Sequence, residues 1–102
     1  MYQLIFFVPE SHTEIVKAAV FGAGAGKFRN YDNCSWQTKG TGQFRPLAGS
    51  DAFLGSEGKL EKVDEHRVEM LCTDENLKAV IAALKQAHPY EEPAYYAVKT
   101  VI

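Results

Sequence analysis

The chain reads as an α+β domain with the element order β-α-β-β-α-β, a four-stranded antiparallel sheet carrying two helices on one face. Three observations predict it. An apolar run, Leu4 to Val8, opens the chain, and a β-favouring segment, Tyr95 to Ile102, closes it. Leu77, Val80, Ile81 and Leu84 fall at i, i+3, i+4 and i+7, the signature of a one-sided helix. Between these lie two long β-prone stretches separated by a glycine-rich loop. Two interleaved β-α-β units satisfy that order, an arrangement known as ferredoxin-like.

Tyr2 to Val8 is the first strand. Ile5 and Phe7 alternate with Leu4, Phe6 and Val8, so both faces are apolar, as in a central strand, and Pro9 ends it. Ser11-His12-Thr13-Glu14 has the spacing of a capping box, in which hydroxyl and carboxylate satisfy the free amides of a helix start. The helix presents Ile15, Ala18, Ala19 and Gly22 on one face and dissolves in Gly22-Ala23-Gly24-Ala25-Gly26. From Asn33 to Phe44, Cys34, Trp36, Thr38, Thr41 and Phe44 surround Gly40 and Gly42, which predicts a strand with a bulge or kink. Residues 45 to 58 form a loop with Phe53 and Leu54 as its apolar anchor. Lys59 to Cys72 is the next strand, with Val68, Met70 and Cys72 on one side and Arg67, Glu69 and Leu71 on the other. Thr73 or Asp74 caps the second helix, and Asp74 and Glu75 suit its positive end. Lys85 and His88 stand near its negative end.

The chain has 102 residues, enough for one domain spanning 1–102, with a radius of gyration of roughly 13 Å if compact. Apolar residues make up 46% and charged residues 24%, ordinary for a globular protein, and the net charge of −2 gives no general attraction to nucleic acid or anionic lipid. No apolar run approaches the ~20 residues that span a bilayer, and no basic signal-peptide region precedes the first strand. Cys34 and Cys72 lack CxxC spacing and fit reduced thiols. These features predict a soluble, cytoplasmic protein with no membrane partner.

The polar corner His88-Pro89-Tyr90-Glu91-Glu92-Pro93 is the leading site candidate. Each proline restricts the residue before it, so an imidazole, a phenol and two carboxylates are held stiffly between a helix end and a strand. Such a corner suits a binding site or a subunit contact. His88 at a helix end before proline is a cap or a metal ligand, and Glu91 or Glu92 would be its partners for a divalent ion. Tyr90, Tyr95 and Tyr96 suit packing at an interface. Trp36 is a further ligand or interface candidate.

Other chemistries fail on pattern. Lys27 after Gly22, Gly24 and Gly26 is no phosphate loop, because Phe28 and Phe21 occupy the required hydroxyl and glycine positions and the glycines follow a helix instead of preceding one. They read as a helix C-cap with close backbone approach. Lys27, Phe28, Arg29, Tyr31, Trp36, Lys39, Phe44 and Arg45 are basic and aromatic, but the strand that carries the base-stacking signature in RNA-recognition modules is here acid-rich, Leu60 to Arg67. That argues against nucleic acid. No His or Cys pair has metal-ligand spacing, Cys72 belongs to the core, and Glu91 and Glu92 are adjacent, so an extended backbone would aim them apart. No serine or cysteine has a base at recognisable spacing, so no catalytic residues are assigned.

Gly22-Ala23-Gly24-Ala25-Gly26, Asn30-Tyr31-Asp32-Asn33-Cys34 and Gly40-Thr41-Gly42-Gln43-Phe44-Arg45-Pro46 resemble the inserted middle domain of the Nif-three-like family, proteins often labelled GTP cyclohydrolase type-two homologues. The likeness continues through Gly49, Gly55, Gly58 to Val63, Glu65, Arg67 and Glu69 to His88 through Tyr95. The closing His-Pro-Tyr-Glu segment is also similar to the CutA family, linked to divalent-cation tolerance and related in fold to PII proteins. The resemblance implies a PII/CutA-like domain, a stand-alone form of the insert, that assembles into a trimer or higher. In the larger family the metal-binding residues lie in flanking domains, so the enzyme is not implied. One Trp, five Tyr and six Phe in so short a chain fit a sheet face covered by neighbouring copies. The leading functional expectation is a non-catalytic, oligomeric regulatory or small-ligand-binding module. A divalent metal-ion binder using His88 with Glu91 or Glu92, and an accessory subunit of a dinuclear-metal hydrolase, are the alternatives.

Overall fold

The computed structural model describes residues 1–102. Strand β1 (Tyr2–Pro9), helix α1 (Thr13–Gly22), β2 (Trp36–Phe44), β3 (Glu61–Cys72), helix α2 (Leu77–Ala87) and β4 (Tyr95–Lys99) follow the predicted order. The strands lie β2-β3-β1-β4 and are antiparallel throughout. The β1–β3 pairing sets Leu4 opposite Met70 and Phe6 opposite Val68, so both strands turn their apolar residues to the same side. There they join Val16 and Val20 of α1 and Val80 and Leu84 of α2 in one buried cluster with Val8, Ala25 and Cys72. Full burial of each large member stabilises the fold by about 1.5–3 kcal/mol. Burial also pushes the Cys72 thiol pKa up, which keeps it a neutral core group.

Several local expectations are corrected. The buried face of α1 is Thr13, Val16 and Val20, whereas Ile15 is 59% exposed. Tertiary packing chose the face one residue along, because that face joins the buried cluster built with β1, β3 and α2. The capping box does not form: Ser11 Oγ lies 2.7 Å from His12 Nδ1, and a 3₁₀ turn, Glu10–His12, leads into the helix. Thr73 and Asp74 cap nothing with their side chains, since a second 3₁₀ turn, Asp74–Asn76, precedes α2. Asp74 instead binds the N-terminal ammonium and Lys99 Nζ, and the buried Thr73 hydroxyl has no partner. Strand β2 has no bulge, pairing residue for residue with β3 from Trp36↔Glu69 to Phe44↔Glu61. It begins at Trp36, not Asn33, and β4 ends at Lys99, not Ile102.

The glycine run after α1 closes that helix. Ala25 N donates to Val20 O at 3.0 Å, and Gly26, at φ +79°, donates to Leu71 O at 2.8 Å. A Cβ on Gly26 would come within 2.6 Å of the Phe21 ring, so both the backbone angle and the close approach require glycine. Residues 61–64 of β3 pair only with β2, and this two-stranded arm lengthens the molecule to 46 × 24 × 24 Å, with a radius of gyration of 14.2 Å. The β2–β3 connection folds back, with Gly58 N donating to Pro46 O at 2.7 Å. At the other end Thr100 N donates to Met1 O at 3.0 Å. No helix is long and apolar enough to cross a membrane.

The sheet face away from the helices has no element over it. By register it displays Gln3, Ile5 and Phe7 of β1, Arg67, Glu69 and Leu71 of β3, Trp36 and Thr38 of β2, and Tyr96 and Val98 of β4. It is a mosaic, not an unbroken apolar surface. Trp36, Tyr96 and Val98 are exposed, while Gln3 Nε2 donates to Glu69 Oε1 at 2.9 Å and Arg67 pairs with Glu69.

Candidate functional site

The C-terminus of α2 builds the site. His88 N still donates to Leu84 O, but the His88 backbone is extended (φ −71°, ψ 135°), as the following Pro89 demands. The side chain turns inward and is 5% exposed. Its Nε2 lies 2.7 Å from Phe7 O, an acceptor, and its Nδ1 is 3.1 Å from Tyr90 N, a donor. The imidazole therefore carries its proton on Nε2 and accepts at Nδ1. Burial holds its pKa below the usual histidine value, outweighing the Phe7 bond and the nearby Glu65 carboxylate, which act the other way.

Tyr90 extends the chain of contacts outward. Its ring packs on His88 (centroids 4.9 Å apart), Phe44 (5.9 Å) and Phe53 (6.3 Å). Its hydroxyl donates to Glu65 Oε2 at 2.8 Å. Burial first, then that bond and the carboxylate's charge, raise the phenol pKa well above its ordinary range, so Tyr90 remains a donor. Glu65, on β3, is only 9% exposed and faces Gly42 of β2; a Cβ there would lie 2.1 Å from Glu65 Oε1. Gly42 thus makes room for a buried carboxylate.

Phe7, Phe44, Phe53, Leu54 and Tyr90 wall a cleft of about 290 Å³, with Glu65, Glu91, Glu92 and Gln43 as its main polar groups. Glu91 Oε1 accepts from Asp51 N at 3.1 Å, tying the β2–β3 connection to the corner. Residues 89–92 bend, so both adjacent glutamates border the cleft instead of diverging along a strand. No Lys or Arg lines it.

Of the sequence candidates, His88, Tyr90, Glu91 and Glu92 come together. Trp36 does not: it stands 70% exposed at the start of β2, in a separate groove with Gln3, Phe28 and Leu71. The sequence reading missed Glu65, Phe7, Phe44 and Phe53. Glu65 looked like one charge among many in an acid-rich strand; its signal is long-range, the absence of a side chain at Gly42 on the neighbouring strand.

As a metal ligand set the corner fits poorly. Both His88 nitrogens are committed to the backbone, leaving carboxylates alone, and no three His, Cys, Asp or Glu side chains converge on a common point. His12 engages Ser11, and His66 Nδ1 lies 2.7 Å from Thr13 Oγ1.

The family model for the CutA1 divalent ion tolerance protein matches residues 49–101, a span holding β3, α2, the corner and β4. The chain belongs to the CutA1 family. This CutA1-family chain is also 45% identical over 95 residues to a GTP cyclohydrolase 1 type 2 homolog of Halalkalibacterium halodurans, covering 93% of this chain and 26% of the relative. A protein of the same description from Mycobacterium tuberculosis is 46% identical over 91 residues, 89% of this chain and 24% of the relative. The chain thus spans about a quarter of the length of these curated relatives. Among solved structures, a Bacillus cereus protein related to NIF3 superposes with a TM-score of 0.84 at 38% identity, over 99% of this chain and 26% of that one. CutA of Xylella fastidiosa superposes with a TM-score of 0.70 at 21% identity, over 99% and 84%. The PII-like CutA of Nostoc does so at 0.69 and 14%, over 99% and 82%. The last two speak for the fold alone, and the CutA-type sheet and helices expected from the sequence are the ones found.

Proposed function

We propose that this CutA1-family domain is a non-catalytic, self-associating module that binds a small ligand in the cleft beside His88. The cleft carries the reading: aromatic walls with a few convergent polar groups, on a corner stiffened by the Phe7–His88–Tyr90–Glu65 hydrogen bonds, suit recognition better than proton transfer. Its volume suits a small molecule, not a nucleotide cofactor. The uncovered sheet face, with Trp36, Tyr96 and Val98 exposed, supports assembly with other copies, a trimer being the favoured form. A fragment screen by ¹⁵N chemical-shift mapping tests the cleft. Hits are expected to move Glu65, Tyr90 and Phe53 together, and a screen whose hits all fall elsewhere removes the proposal.

A divalent cation at Glu91 and Glu92 is the second reading, favoured by three carboxylates on one cleft and by the ion-tolerance description of the family. His88 would join only by surrendering a backbone bond. Calorimetry with copper, zinc and nickel decides it: no heat, or equal affinity in Glu91→Gln/Glu92→Gln, eliminates the site. The length of the curated relatives supports a third role, as an accessory part of a metal hydrolase, which pull-down from the source cell checks.

A further inference from the structure

Glu65 is the only acidic residue buried in this chain, and it enters no ion pair within it. A buried carboxylate without a counter-charge is costly, and natural interiors pair such groups. The Tyr90 hydroxyl gives it one hydrogen bond at Oε2, which stabilises it without neutralising it. Its neighbour two residues along β3, Arg67, turns instead to Glu69, at 3.6 Å, and lies over the Phe7 ring at 5.9 Å. Glu65 borders two hollows: a polar groove whose two cations, Lys39 and Arg67, are paired with Glu10 and Glu69, and the aromatic cleft, whose rim adds Glu91 and Glu92 and whose lining holds no basic group.

Building on the small-ligand reading above, we infer that the cleft takes a small organic cation: a substituted ammonium group seated against Phe44, Phe53 and Tyr90, with Glu65 as its counter-charge. Aromatic faces attract a cation electrostatically within about 6 Å of the ring centroid, and most strongly where water is excluded. Anions are repelled by three carboxylates. A hard metal ion is a poorer occupant, because it needs six to eight oxygens or retained waters. Here Glu65 and Glu91 each already hold a donor within the chain, and the walls are carbon. A neutral apolar molecule would leave Glu65 uncompensated.

The test compares choline with 3,3-dimethylbutan-1-ol, its neutral isostere, and with magnesium chloride, by ¹⁵N chemical-shift titration of the intact chain. Choline is expected to move Glu65, Phe44, Phe53 and Tyr90, with the neutral isostere at least about tenfold weaker and magnesium without effect on these residues. Glu65→Gln retains an acceptor for Tyr90 and preserves the fold, yet should weaken choline about tenfold; Phe44→Leu should do the same by removing a wall. Equal binding of choline and its isostere overturns the cation inference while leaving a small-ligand cleft standing. Magnesium displacing choline, or choline affinity unchanged in Glu65→Gln, overturns it as well. If choline moves nothing in the cleft the inference is wrong, and the fragment screen then decides the broader reading separately.

Discussion

His88 shows how one residue can stop a helix, join it to a strand and shape a cleft. It caps α2 by leaving the helical backbone, and it spends both ring nitrogens on main-chain groups of β1 and of its own turn. Because its folded pKa lies below the unfolded value of 6.5, the unfolded chain binds the proton first as pH falls. The associated stability is fully present above pH 6.5 and is lost as pH falls through the folded pKa. His88→Ala should flatten that dependence in thermal melts between pH 7 and 5 and destabilise the fold by about 1–3 kcal/mol through the stranded Phe7 carbonyl. A wild-type melt independent of pH across that interval would contradict the assignment.

Asp74 behaves likewise at the surface. Hydrogen bonds from Lys99 and the N-terminal ammonium, then their charges, lower its pKa from 3.8 to about 2. Its folded pKa is depressed, so this contribution is present above pH 3.8 and disappears as pH falls towards 2. Asp74→Asn should have its largest effect on melting near neutral pH, a much smaller one at pH 2, and least below it. Added salt should shrink the difference, since the group is exposed. His88 was conspicuous in the sequence because prolines and charges crowd around it. The partners of Asp74 were not, because the chain's two ends meet there only after folding.

At the scale of elements, legibility depended on how much of the defining information is local. The stripe on α2 was legible since Val80 and Leu84, fully buried, are spaced as a helix requires. The face of α1 was not: Ile15, Val16, Ala18, Ala19 and Val20 offer two apolar faces, and only packing against α2 and the sheet chooses between them. Val16→Ala should therefore cost about 2 kcal/mol in urea unfolding, and Ile15→Ser less than about 0.5 kcal/mol. The reverse ranking would mean the helix is rotated. The capping box failed for a related reason, since the 3₁₀ turn at Glu10–His12 removes Ser11 from the N-cap position. Gly42 carries a message between strands. Gly42→Ala should push Glu65 off its seat and break the Tyr90 bond, destabilising the fold and broadening the cleft resonances, whereas Gly40→Ala, with open space at its Cβ, should do neither. Equal behaviour of the two variants would show that Glu65 does not depend on Gly42.

For the whole molecule, the uncovered sheet face predicts assembly. Light scattering after size exclusion should give a multiple of the 11.3 kDa chain at micromolar concentration. Tyr96→Asp, placing a charge on that face near Ile5 and Phe7, should shift the mass towards one copy while leaving the helix-side core intact. A clean monomer for the unmodified chain would refute self-association. The antiparallel sheet and the two-layer build were legible because hydrophobic period and element order constrain them together. The cleft was half legible: its corner came from a contiguous motif, but Phe7, Phe44, Phe53 and Glu65 reach it from β1, β2, the connecting loop and β3, a convergence that no window of sequence contains.

The hydrogen bond from Thr100 to Met1 has a further consequence. Entry and exit lie side by side, so the domain can hang from a longer polypeptide like a side room off a corridor, barely widening the gap between the segments it interrupts. The same geometry should let the two ends be spliced by a few flexible residues and the chain reopened in the loop near Gly49 without disturbing the sheet.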